Sequence, residues 1–395
     1  MRPIIKLIAL VSVSLWMGSG IMAQQKWTLE ECIRHAQNEN ISVKRQNLQI
    51  QSSKSNLQTA RAGRLPSLSA WVSHNLSSGK TVNFEDYSYI NTEYQDGNMG
   101  IQGQLPLFSG LGILNTVKQQ KYAMQAAISE TRTLQNSIAI QVTGAFLQVL
   151  FAQELYLLAK EQYQVILDQV KSTEVFVEHG RMAKANLLEM KALASQDALT
   201  LTQAENQLAN SELMLAHLMN ISDPADFKIA HPAFLEISNS SLFDPEQVFN
   251  VALSSLPRIK GAEFRVKASE SGLAVAKSKL SPNIGLSGMY YSRYSELGLN
   301  PLSPTSDYPY STQLTDNSYG RISINMDIPI FNQLRTKNQI SQAKILALDS
   351  KLALDLAKNT LKQEIQTAYS DAKNALAKYD ASVIAVESTQ ESHSF

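Results

Sequence analysis

Ile322-Ser323-Ile324-Asn325-Met326-Asp327-Ile328-Pro329-Ile330 places isoleucine or methionine at every even position and a polar residue or proline at every odd one. A period of two is that of a strand with one apolar face. Three further segments share it. Met99, Ile101, Gly103, Leu105 and Leu107 alternate with Gly100, Gln102, Gln104 and Pro106. Ile284, Leu286, Gly288 and Tyr290 alternate with Asn283, Gly285, Ser287 and Met289, and Leu68, Ala70 and Val72 alternate with Ser69, Trp71 and Ser73. These segments have roughly the length a tilted strand needs to cross a bilayer. An ordinary half-buried antiparallel sheet alternates in the same way.

Two features favour membrane strands. Nine of the 14 tyrosines fall in two hairpin regions, Tyr87, Tyr89 and Tyr94 in one and Tyr290, Tyr291, Tyr294, Tyr308, Tyr310 and Tyr319 in the other. An interfacial aromatic girdle would need them there. The connections, about 77 to 96 and 293 to 317, are long and polar, with Pro301, Pro304 and Pro309, as external loops would be. On this reading Ile322, Ile324, Met326 and Ile328 face lipid, and Ser323, Asn325 and Asp327 face a lumen. Four strands cannot close a barrel and an open edge is not tolerated in lipid. The chain is therefore expected to oligomerise, three copies of four strands supplying 12.

The chain also repeats itself. At an offset of 216, Ala36 meets Ala252, Lys44 meets Lys260, Ala60 meets Ala276 and Pro66 meets Pro282. At 223, Pro106 and Phe108 meet Pro329 and Phe331, and Asn115, Gln119, Lys121 and Ala145 meet identical residues. The order in each copy reads helix, strand pair, long helix. The first helix is expected from about 28 to 63, and its counterpart from about 245 to 280, with Pro245 in a first helical turn where its missing N–H is not needed. The expected divisions are a first repeat over 24–221 with a hairpin at 65–108, a linker over 222–242, and a second repeat over 243–395 with a hairpin at 282–331.

No proline occurs between Pro106 and Pro224. Counting in sevens from Leu114 and from Val117 gives two seams, in which 15 of 19 positions are apolar against 44% for the chain. This is coiled-coil periodicity sustained over nine heptads. A helix from about 111 to 177 would span roughly 100 Å. Phe146, Leu150 and Leu157 fall off the seams, which suggests contacts on two sides. The pattern breaks at His179-Gly180-Arg181-Met182, Gly180 suiting a left-handed stop, and resumes from Leu187. The break reads as the tip of an antiparallel helical hairpin or as a simple helix cap.

Composition narrows the chemistry. With 35 basic and 35 acidic side chains, no phosphate-tracking surface is expected, and hence no nucleic acid. Cys32 alone excludes a disulfide framework and a thiolate zinc site. The six histidines are scattered, and no HExxH, GxSxG or glycine-rich phosphate loop is present. No catalytic residue, metal or cofactor is expected. Residues 1–23 carry Arg2 and Lys6, an apolar run from Leu7 to Met17 and small residues ending at Ala23. This is the layout of a secretory signal peptide, the run being short for a membrane anchor. Beyond it no segment approaches 18 uncharged apolar residues, so no transmembrane helix is expected.

In its helix, strand, strand, helix order, the chain resembles the TolC-like outer-membrane factors of Gram-negative bacteria. The likeness rests on Leu65-Pro66-Ser67-Leu68 and Ser281-Pro282-Asn283-Ile284 leading into strands, on the strand exits Leu105-Pro106-Leu107-Phe108-Ser109-Gly110 and Ile328-Pro329-Ile330-Phe331-Asn332, and on the glycine tip. The resemblance implies a mainly α fold with membrane β-strands, a homotrimer forming a 12-stranded barrel in outer-membrane lipid, and a long α-helical tunnel through the periplasm. It implies a tip at Gly180, Arg181 and Met182 docked on a periplasmic adaptor coupled to an inner-membrane pump. The family often has an acidic residue six after the tip glycine. Here it is Asn186, which puts a charge-based latch in doubt. Passive efflux of drugs or other small molecules is the leading function. Protein secretion or metal-ion export on the same scaffold, or a non-conducting exported coiled coil, are the alternatives. Gly180 plus 223 is position 403, beyond Phe395, so the second repeat is expected to stop before its tip and return helix.

Overall fold

The computed structural model describes residues 26–83, 87–223, 227–231, 243–300 and 307–394. The expected signal peptide, much of the expected linker, and Pro301 and Pro304 lie outside the described residues. Two compact units are drawn from Met1–Leu48 with Thr131–Ser241 and from Gln49–Glu130 with Leu242–Phe395.

In the first unit, α1 (Leu29–Glu39) opens on a reciprocal cap. The Thr28 hydroxyl accepts from the Glu31 N–H at 3.3 Å, and the Glu31 carboxylate accepts from the Thr28 N–H at 3.0 Å. One face of α1 supplies Cys32 and Ala36 to a core, to which α2 (Ile41–Ala62) adds Val43. The long helix α3 (Gly112–Glu178) supplies Ile138, Val142, Phe146 and Val149, and α4 (Lys184–Leu218) supplies Leu215 and Ala216. Ile138, Val142 and Val149 are heptad seam positions. Phe146, expected off the seam, is fully packed in the same core, because its position adjoins the seam on the helix surface. The backbone of Trp27 bridges Lys228 and Ala230 at 2.9 Å each, and Phe227 and Ile229 close the core beneath it.

Burial pushes the Cys32 thiol up to about 12, the Glu31 charge adding to the effect. A raised folded-state value means that stability is fully present below the unfolded thiol's pKa, about 8.5, and falls as pH climbs from there towards 12. A disulfide reagent such as DTNB should leave Cys32 unmodified in the native chain at mildly alkaline pH and titrate it fully in guanidinium chloride. Modification of the native chain would show that this core opens.

In the second unit, α6 (Pro257–Ser278) runs antiparallel to α8 (Arg335–Ser394), and α5 (Pro245–Ser255) packs on α8 around Leu361. Glu246 pairs with Lys362 at 3.4 Å, Arg258 with Glu364 at 2.9 Å and Glu270 with Lys351 at 2.9 Å. Exposed pairs of this kind contribute little stability each, but the Arg258 and Glu270 pairs mark the antiparallel sense of α6 on α8. The other side of α6 meets α3. Phe264 stacks on Tyr122 at 6.4 Å, and Arg265 Nε donates to Glu130 at 2.9 Å.

The single helices expected over 28–63 and 245–280 are each two. Asn40 and Leu256 are extended, with ψ of 127° and 129°. At Leu256 the cause is Pro257, whose ring disfavours a helical residue before it. At Asn40 it is a side chain: the Asn40 carbonyl accepts from the Ser42 N–H at 2.8 Å while its amide donates to the Leu218 carbonyl at 3.1 Å. The helix bounds 29–39 and 41–62 recur at 245–255 and 257–278, and α3 and α8 begin 223 residues apart.

The four strands β1 (Ser67–Val82), β2 (Tyr89–Ser109), β3 (Asn283–Ser295) and β4 (Tyr319–Asp327) form one sheet in chain order, antiparallel throughout. The long connection expected over 77–96 is mostly strand. The one expected over 293–317 contains a short helix, α7 (Tyr310–Asp316), which packs on β3. Ser292 donates to the Leu314 carbonyl at 2.7 Å, and Gln313 exchanges hydrogen bonds with the Ser295 backbone at 3.0 and 3.1 Å. Strand β4 stops at Asp327, so Ile328, Pro329 and Ile330 lie beyond it. Leu107 sits in a register break between Pro106 and Phe108, and Phe108 takes its place opposite Ile284. Among the described residues one helix, α3, is long and apolar enough to cross a membrane by length and composition alone. Its side chains outside the core explain this.

Candidate functional site

The sheet has two chemically different faces. Pairing places Leu105, Leu286 and Ile324 in one row, and Leu68, Gly103, Gly288 and Ile322 in another. Among the described residues nothing covers them: Ile322 is 81% exposed, Leu68 77%, Val72 76% and Ile324 71%. A face of this composition bare to water would be an aggregation liability. Strand β4 has nine residues, close to the roughly 9–11 of a tilted membrane strand.

The opposite face carries Ser67, Gln104, Ser287 and Ser323 in one row and Ser69, Gln102, Met289 and Arg321 in the next. Asn325 donates to the Ser287 hydroxyl at 2.8 Å. Ser323 and Asn325 thus share the polar face, and Asp327 ends the same strand on that parity, while Ile322, Ile324 and Met326 stand on the other. Ile328 is exposed but outside the strand.

The tyrosines depart from a simple girdle. Tyr290 stands on the apolar face, but Tyr94, Tyr291 and Tyr319 pair into the polar one. Tyr291 and Tyr319 meet edge-on at 5.6 Å, and the Trp71 indole N–H donates to Asn98 Oδ1 at 2.8 Å. Alternation alone could not have found this row, because aromatic residues count as apolar on either face.

At the other candidate site, α3 ends in a left-handed glycine. Gly180 has φ +68°, its N–H donates to the Val177 carbonyl at 3.0 Å, and the Arg181 N–H reaches back to Phe176 at 2.8 Å. These two bonds are the usual closure of a helix C-terminus. His179 Nδ1 adds a bond to the Val175 carbonyl at 2.8 Å. Arg181, Met182 and Asn186 are all exposed, and α4 departs at Lys184. Glu174 and Lys191 pair at 3.2 Å, tying α4 back against α3 as in a hairpin.

The outer membrane efflux protein family model matches residues 32–220 and 248–395. The chain belongs to that family. Outer membrane efflux protein BepC of Brucella suis is 23% identical over 327 residues, 82% of this chain and 65% of that protein. The probable outer membrane lipoprotein SilC of Salmonella typhimurium is 24% identical over 374 residues, 91% of this chain and 71% of that protein. The chain therefore spans about two thirds of the length of these relatives. Among solved structures, the Campylobacter jejuni CmeC outer membrane channel superposes with a TM-score of 0.74 at 16% identity, over 89% of this chain and 72% of that one. As a member of the outer membrane efflux protein family, the chain is an outer-membrane protein whose fold joins long helices to antiparallel membrane strands.

Proposed function

We propose that this chain is the outer-membrane channel of a tripartite efflux pump and passively conducts drugs or other small molecules from periplasm to exterior. The observation that carries the reading is the two-faced sheet, bare on its apolar side and ending in two unpaired edges, β1 and β4. In lipid such edges are satisfied only by closure. Pairing β4 of one copy with β1 of the next closes a barrel of 12 strands from three copies, with the serine, glutamine and asparagine face inside. Purified protein in planar bilayers should open long-lived conductance steps. Oligomers that insert but pass no current would overturn the reading.

The energy for transport comes on this reading from an inner-membrane pump, reached through a periplasmic adaptor. The contact is the turn at Gly180, Arg181 and Met182, which offers one cation and one soft, adaptable apolar side chain. Asn186 carries no charge, so a charge-based latch has no purchase there. Photo-crosslinkers at Arg181 and Met182 should capture the adaptor, and one at Ser78 should not. Capture from Ser78 alone would move the contact to the strands.

A further inference from the structure

One row of the sheet's polar face differs from its neighbours. Trp71, Gly100, Tyr291 and Tyr319 lie side by side across all four strands. A Cβ at Gly100 would fall 2.6 Å from the Tyr291 Cβ and 2.7 Å from the Trp71 ring, so only glycine lets the indole lie flat across the row. The hydrogen bond to Asn98 holds the indole there, and Tyr319 buttresses Tyr291 from the far side.

These rings line a concavity of about 980 Å³, and so do Arg293 and Arg321. Arg293 is two residues beyond Tyr291 on β3 and Arg321 two residues beyond Tyr319 on β4, on the same face. Because β3 and β4 are antiparallel, Arg293 stands roughly 7 Å to one side of the aromatic row and Arg321 roughly 7 Å to the other. Neither guanidinium makes an ion pair among the described residues. Asp96, the carboxylate in the lining, already accepts from the Asn75 amide at 2.9 Å.

We propose that this concavity binds planar aromatic molecules that carry a carboxylate or sulfonate. The ring stacks on Trp71 and Tyr291, and the anion takes the guanidinium N–H groups of Arg293 at one end of the row or of Arg321 at the other. Aromatic faces alone would favour cations. Two arginines against one engaged carboxylate reverse that preference, since a guanidinium fork matches a planar carboxylate. The site is built within one chain, so it stands whether or not the protein conducts.

The test is quenching of Trp71 fluorescence in the purified protein by 4-nitrobenzoate and by 4-nitrobenzylammonium. The part of the signal lost in Trp71→Phe serves as the Trp71 contribution. Quenching by the anion should saturate, and the cation should need about tenfold more. The Arg293→Gln, Arg321→Gln double variant should erase that difference, and Gly100→Val should weaken both probes by displacing the indole. Circular dichroism identifies any variant that has lost its fold, and Arg321→Gln alone, on an exposed side chain, then reads the preference. Equal potency of the two probes, stronger binding of the cation, unsaturable quenching, or a preference that survives loss of both arginines would each overturn the proposal.

Discussion

Ile324→Arg is expected to abolish assembly, and Asn325→Arg to leave most of it intact. The two residues are neighbours on β4 and differ only in the face they occupy. Ile324 stands in a row with Leu286 and Leu105, exposed to whatever surrounds the sheet. If this is the lipid face, as proposed, a cation there near the midplane costs roughly 2 to 4 kcal/mol in each copy. Per copy, that is a large share of the stability of a typical domain, about 5 to 15 kcal/mol. Asn325→Arg loses the hydrogen bond to Ser287, worth about 1 kcal/mol, and leaves its cation in water. Heat-resistant oligomer on gels is the measurement. Equal losses for the two variants would reject the assignment of faces.

The second large effect lies on α3. Val142, Val149 and Phe146 fill the core, yet the opposite side of the helix carries Ile140, Leu147, Phe151, Leu158 and Val165, all at least 56% exposed. A helix at a protein surface is usually polar on that side. Covering these side chains with a second copy would gain about 1.5 to 3 kcal/mol for each. Leu147→Glu combined with Phe151→Glu should therefore eliminate the oligomer while helix content by circular dichroism stays unchanged. Phe146→Ala is the contrasting variant. It hollows the core of the chain itself at about 3 to 5 kcal/mol and should lower the unfolding temperature. If the double variant still assembles, this face is not where copies meet.

The alternation at 322–327 and the heptads after Leu114 were legible because one face of a strand, or one stripe of a helix, shows itself in the order of residues. The break at Leu256 was equally open to reading, since Pro257 follows it. The break at Asn40 was not, because its cause is a side chain that bonds Leu218, 178 residues away. The hairpin β1–β2 outran its expected ends for a related reason. Beyond Leu76 most of its residues are polar on both faces, and period-two reading has little to hold. Phe146 looked peripheral because two seams were counted where the buried stripe is three positions wide. The turn at Gly180 was found from a single glycine. The aromatic row was missed because it exists only across four strands in register.

If the hairpin tips face outward, as the proposed channel requires, the unequal hairpins have a consequence at the cell surface. β3 leaves β2 at Asp96, and from Leu76 to Val82 the ribbon continues with two strands alone. Seven residues add roughly 23 Å. Ser78 reaches Glu93 at 3.2 Å, and Lys80 lies over the Tyr89 ring at 5.1 Å, so the ribbon is fastened by polar groups that discourage pairing with strangers. In a threefold assembly, three such hydrophilic fingers would stand above the rim. An antibody or a bacteriophage arriving from outside would meet the fingers first. The stretch from 76 to 95 could then drift under immune or phage pressure while the conduit beneath stays the same.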